Sequence, residues 1–139
     1  MTRVFGIDIR KGNIRSQTVS PHFSLVCVED GKVVFEEKEV SIPKLFRMLR
    51  QDRPDILAVD SVQEIAPSDK DLFSFLSAMP AETKLVQVTG DGIKMESLPS
   101  VAARYNLKFD KTNPAEEAKA SALVASFGGG YEVLAFEGV

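Results

Sequence analysis

Three carboxylates stand where a sequence built only to fold has little need of them. Asp8 interrupts the apolar run "RVFGIDIRKGNIRS" between Ile7 and Ile9, where a buried strand would carry another β-branched residue. A charge in such a run is costly unless something pairs with it. Asp60 closes a second apolar run, "ILAVD", and Glu117 lies early in the alanine-rich "PAEEAKASALVASF". Glu64, Glu116 and Asp71 are weaker candidates; Glu64 follows Asp60 by about one helical turn. Carboxylates brought together repel unless a divalent cation neutralises them. Oxygen ligands without a His or Cys cluster suit Mg²⁺ or Mn²⁺. Two such cations can clamp the attacking and leaving oxygens of a phosphodiester displacement.

Each acid also has an ordinary explanation. A strand-end acid such as Asp60 is often only solvated or capping a turn. Glu116 fits a capping box, and Glu117 gains from the helix dipole wherever its carboxylate goes. Asp8 is the hardest to explain in this way, because it interrupts the apolar run before any loop begins.

The elements that would position these acids follow from local signals. Residues 3–9 read as a buried strand, and "RKGNIRSQTVSPH" after them as a mobile loop. "FSLVCVEDGKVVFEEKEV" carries two β-rich runs around Asp30-Gly31, a hairpin signal. Ser41 can cap a helix with Pro43 in its first turn and an apolar stripe of Leu45, Phe46, Met48 and Leu49, stopped by Pro54. "DILAVD" and "KLVQVT" read as short strands, separated by a helix that starts at Ser68 and Asp71. "SLPSVAARYNL" is a short helix. Asn113-Pro114 starts the alanine-rich helix, "GGG" ends it, and "YEVLAF" is a last strand. A hairpin followed by strands alternating with helices predicts an α/β fold with a mixed sheet, mostly parallel after the hairpin. The carboxyl edge of such a sheet is where distant acids can meet.

The 139 residues, 44% hydrophobic and 27% charged, suit one globular domain over 1–139. No apolar run approaches the ~20 residues that span a bilayer. No signal-peptide core is expected in this stretch, since Arg10, Lys11 and Arg15 follow the first apolar run too soon. A single cysteine, Cys27, and a single histidine, His22, exclude an internal disulfide and a structural zinc site. Cys27 reads as a buried small hydrophobe and His22 as a loop residue; a cytoplasmic setting is expected. The net charge of −3 excludes a protein that coats nucleic acid non-specifically. It does not exclude an enzyme acting on nucleic acid, which can be acidic overall with a basic rim around one site.

On these residues the chain resembles the RNase H-like superfamily and, within it, the RuvC/YqgF-like nucleases. "GIDIRKG" matches the first motif through Gly6 and Asp8, "LAVD" the second through Asp60, and "EEAKASAL" the third through Glu117-Ala118-Lys119-Ala120. Through "RPDILAVDSVQEIA", "TKLVQVTG" and "GYEVLAFE" it is similar to the N-terminal domain of an archaeal family of predicted RuvC/YqgF-like nucleases. The resemblance implies an RNase H-like three-layer fold, with a mixed sheet, an N-terminal antiparallel hairpin and helices on both faces. It departs from the family in two places. The last acid is Glu rather than the commoner Asp, and Arg10 stands where a second glycine is usual.

The function implied is a Mg²⁺- or Mn²⁺-dependent nuclease acting on a structured nucleic acid, RNA or branched DNA. Asp8, Asp60 and Glu117 are its expected catalytic and metal residues, with Glu64 and Glu116 as weaker ligands. Arg10, Lys11 and Arg15 are its expected backbone grip; each alone could equally be part of a solvated basic loop. A homodimer and further domains in a longer chain remain open. The competing reading is an inactive RNase H-like module that binds nucleic acid or protein. A sugar-kinase or actin-like ATPase is disfavoured, since that site needs two such domains and a second glycine-rich phosphate loop.

Overall fold

An apolar sequence on both faces puts β1 (Arg3–Lys11) in the middle of a sheet. It pairs antiparallel with β2 (His22–Glu29), which pairs antiparallel with β3 (Lys32–Ser41). Asp30 and Gly31 between β2 and β3 both take positive φ, 51° and 79°. That is the mirror-image turn whose twist matches a hairpin, and it bears out the reading of this dipeptide. The computed structural model describes residues 2–11, 22–89, 97–108 and 113–134, with Arg10 and Lys11 described by their backbone alone. The loop expected after β1 lies outside the described residues from position 12 onward.

On the other side of β1 lies β4 (Ile56–Val59), parallel to it, then β5 (Lys84–Gln87), parallel to β4. A short β6 (Tyr131–Glu132) closes the sheet antiparallel to β5. The order is β3-β2-β1-β4-β5-β6. Of "YEVLAF", only Tyr131 and Glu132 are strand among the described residues, and its last two residues lie outside them. Past Glu132 one more bond forms, from the Val133 N–H to the Leu85 carbonyl at 2.8 Å.

Of the four helices among the described residues, three start on the caps read from the sequence, and the helix over Leu98–Arg104 starts on Ser97, for which no cap was read. α1 (Ile42–Asp52) begins where the Ser41 hydroxyl accepts the Lys44 N–H at 3.3 Å. It ends at Arg53, in a left-handed conformation just before Pro54. α2 (Asp69–Ala78) begins where the Ser68 hydroxyl accepts the Asp71 N–H at 3.1 Å. α3 (Leu98–Arg104) is capped by Ser97, and α4 (Pro114–Ser126) by the Asn113 side chain accepting the Ala115 N–H at 3.0 Å. Each cap satisfies a first-turn N–H that the helix itself leaves open.

Strand alternation sends the two faces of the sheet to different helices. Phe5, Ile7, Leu25, Leu57 and Leu85 pack with Leu45 and Leu49 of α1 and Phe75 of α2. Val4, Val26, Ala58 and Val86 pack with Val101 of α3 and Ala118, Ala122 and Val124 of α4. Helix, mixed sheet and helix make three layers, and the fold is α/β. Cys27 is fully buried, as read from its neighbours.

One contact sets the depth of α4. A Cβ on Gly6 would collide with the Ala118 carbonyl oxygen and stand 2.7 Å from the Ala122 Cβ. Glycine in β1 opposite alanine in α4 therefore lets the helix lie directly on the central strand. Larger residues at either place would hold the two apart.

Candidate metal centre

Asp8 is two residues beyond Gly6 in β1, so it shares the α4 face of the sheet. Asp60 follows the last residue of β4, one position past the end of the strand where the sequence placed it. Ile7 pairs with Val59 in the parallel register, so Asp8 and Asp60 come next on neighbouring strands. Glu64 ends a single 3₁₀ turn, Val62–Glu64, directly after β4. Glu117 is in the first turn of α4, one residue before Ala118, where the helix rests on Gly6.

These positions bring the acids together. Carboxylate oxygens of Asp8, Asp60 and Glu64 all lie within 4.8 Å of one another. Glu117 reaches the same cluster from α4 and hydrogen-bonds the Asp8 carboxyl. Asp8 is only 5% exposed. Burial first, then the Glu117 hydrogen bond and the charges of Glu64, Glu117 and Asp60, push its carboxyl up to about 10. Glu64 rises to about 7, through burial and the charges of Asp60 and Glu117, against a hydrogen bond to Asp8 that pulls it down. Asp60 is raised by burial and by Glu117. Among the described residues, every charge acting on these three is another acid.

The sequence ranked Glu117 above Glu64; in the structure Glu64 joins the tight trio and Glu117 touches it through Asp8. Glu116 does not join. It lines a cavity of about 200 Å³ with Asn106, Leu107, Lys108 and Lys119, between the end of α3 and α4. Asp71 is held at the start of α2, where its carboxylate accepts the Ser68 hydroxyl at 2.8 Å. Arg10 and Lys11 continue β1 past Asp8, and Arg15 lies outside the described residues. His22, read as a loop residue, begins β2 and sits 3.7 Å from Glu39.

No family model and no curated protein matches the chain. The chain is similar to the solved structure of Thermus thermophilus RuvC, with 18% identity and a TM-score of 0.49, over 95% of this chain and 100% of that one. Among the described residues no helix is long and apolar enough to cross a membrane.

The donor set fits a hard divalent cation. It is all carboxylate, it is gathered within 4.8 Å, and its members resist ionising together. A cation in the cluster would remove that resistance by replacing the shared proton. Asp8, Asp60 and Glu64 are the residues that would hold it.

Two residues that the sequence reading passed over hold the Asp60–Glu64 segment. The Thr89 hydroxyl donates to the Asp60 carbonyl at 2.6 Å, and the Gln87 side-chain oxygen accepts the Val62 N–H at 2.9 Å. The available signal was a polar Gln87 inside the apolar "KLVQVT", the same kind of interruption that marks Asp8.

Proposed function

We propose that this chain is a divalent-metal-dependent nuclease that hydrolyses phosphodiester bonds in a structured nucleic acid. The observation that carries the reading is the convergence of Asp8, Asp60 and Glu64, with Glu117 against Asp8, at the carboxyl ends of β1 and β4. When bound there, Mg²⁺ or Mn²⁺ would supply charge to the phosphoryl oxygens and lower the pKa of water. Asp8, Asp60 and Glu64 would hold that cation. Glu117, hydrogen-bonded to Asp8, would extend the site to a second cation or take a proton beside it. Arg10, Lys11 and Arg15, which follow Asp8 in the sequence, would supply positive charge to the phosphate backbone. A local basic rim of this kind is compatible with a chain that is acidic overall.

One observation favours a second reading, an inactive module that binds nucleic acid or protein. Glu117 stands outside the mutually close trio. A panel of single-stranded, duplex and branched RNA and DNA, incubated with Mg²⁺ or Mn²⁺, separates the two readings. Cation-dependent cleavage that disappears in Asp8→Asn supports the nuclease. Binding without cleavage, or equal cleavage by Asp8→Asn, rejects it.

A further inference from the structure

We propose that Gln87 and Thr89 are positioning residues that set the divalent-cation affinity of the acidic cluster, by fixing the segment that presents Asp60 and Glu64. The inference rests on reading that cluster as a metal site. Gln87, the last residue of β5, is 3% exposed, and Thr89, two residues beyond it, is 4% exposed. Every polar atom of the Gln87 amide is used. Its oxygen accepts the Val62 N–H at 2.9 Å, while its nitrogen donates to the Thr89 carbonyl at 3.1 Å and to the Thr89 hydroxyl at 3.4 Å. The Thr89 hydroxyl in turn donates to the Asp60 carbonyl at 2.6 Å. A carbonyl can only accept, so this chain of bonds fixes which end of the amide faces Val62.

The turn held in this way is weakly self-supporting. It is one 3₁₀ turn, and its N-cap, Ser61, makes no side-chain cap bond. Gln87 does the work of a cap from a neighbouring strand, on an N–H the turn leaves open. Ile65 and Ala66, directly after the turn, are buried in the core and fix its depth. Apolar burial has no direction, however, and leaves the segment free to rotate over the sheet. The bonds to Val62 and Asp60 are directional and remove that freedom. They lie two residues before Glu64 and on Asp60 itself, so their loss moves two of the three close carboxylates.

Residues behind metal ligands commonly change affinity by about 10- to 100-fold. Mn²⁺ titration, followed by the electron paramagnetic resonance of free Mn²⁺, reads the effect without any substrate. The wild type should bind, Gln87→Met and Thr89→Val should bind about 10-fold or more weakly, and Thr89→Ser should return to within about 3-fold of the wild type. The melting temperature of each variant without metal is measured beside it. A lowered melting temperature with wild-type Mn²⁺ affinity means Gln87 and Thr89 only support the fold, and overturns the inference. Should Gln87→Met fail to fold, the Thr89→Val and Thr89→Ser pair decides alone. A wild type that binds no Mn²⁺ overturns the metal-site reading itself; a wild type that binds beside unchanged variants overturns only the role of Gln87 and Thr89.

Discussion

The two ends of β1 treat acids in opposite ways. At its start, Arg3 serves three carboxylates. Its guanidinium meets Asp52 at 2.7 Å and Glu29 at 3.3 Å, and its backbone N–H donates to Asp55 at 2.8 Å. At its far end, Asp8 meets Asp60, Glu64 and Glu117, all of its own sign. The first arrangement is complete without a ligand: opposite charges pair at a partly exposed edge. The second is unfavourable when ionised and becomes favourable only with a proton or a cation added. A few residues along one strand separate a group that helps close the fold from one whose charge the fold leaves unbalanced.

The sharpest way to break this contrast is Asp8→Asn. A bound cation contributes several kcal/mol to phosphoryl transfer, so its loss should slow Mg²⁺-dependent cleavage by on the order of 10³-fold. Cleavage assays on the substrate panel check it. Next is Gly6→Ala, midway between the two ends. The added methyl meets the Ala118 carbonyl and should cost about 3 kcal/mol in urea denaturation. Mn²⁺ affinity should fall with it, because the α4 turn carrying Glu117 is displaced. Unchanged stability would mean that α4 does not rest on Gly6.

The third prediction concerns pH. The folded-state pKa values of Asp8 and Glu64 lie above those of the unfolded chain. Between about pH 4 and the raised values, the native state holds protons that the unfolded state has released. Stability from these groups is therefore complete at low pH and lost as pH rises, through about 7 for Glu64 and about 10 for Asp8. In chelator, the melting temperature should drop between pH 5 and pH 9. The drop should shrink in Asp8→Asn, and Mn²⁺ should raise the melting temperature more at pH 8 than at pH 5. A flat profile in the wild type would remove the electrostatic contrast between the two ends.

The smallest effect belongs to the paired end. Arg3→Met removes a partly exposed ion-pair centre and should cost about 1 kcal/mol in the same denaturation experiment. Its Mn²⁺ affinity should match the wild type, since Asp52, Glu29 and Asp55 lie at the opposite end of the strand. A large change in affinity would show that the two ends are coupled.

Much of the site was legible, though not its ranking. Asp8 announced itself as a charge inside an apolar strand, and Asp60 as the acid at the end of another. Glu64 ranked low because nothing in "DSVQEI" says that the chain makes one 3₁₀ turn and points back. Glu117 was preferred to its neighbour Glu116, which fits a capping box, and packing sets Glu117 against Asp8 and Glu116 beside the end of α3. Gln87 was as clear a polar interruption as Asp8. It was passed over because a neutral amide suggests no chemistry until its partners, far away in sequence, are in place.

The sequence by itself determined most of the strands and helices and where several of them begin. Asp30-Gly31 made the hairpin turn, and Ser41, Ser68, Ser97 and Asn113 started helices. Each of these signals acts within a few residues of itself, through backbone preference or one local hydrogen bond. The tertiary structure alone decided which acids meet. That outcome depends on β1 lying beside β4, on α4 settling against Gly6, and on β5 pinning the turn that carries Glu64. Those contacts join residues distant along the chain, and charge repulsion among the acids opposes them. It is the apolar burial of the strands and helices around the cluster that forces the acids together.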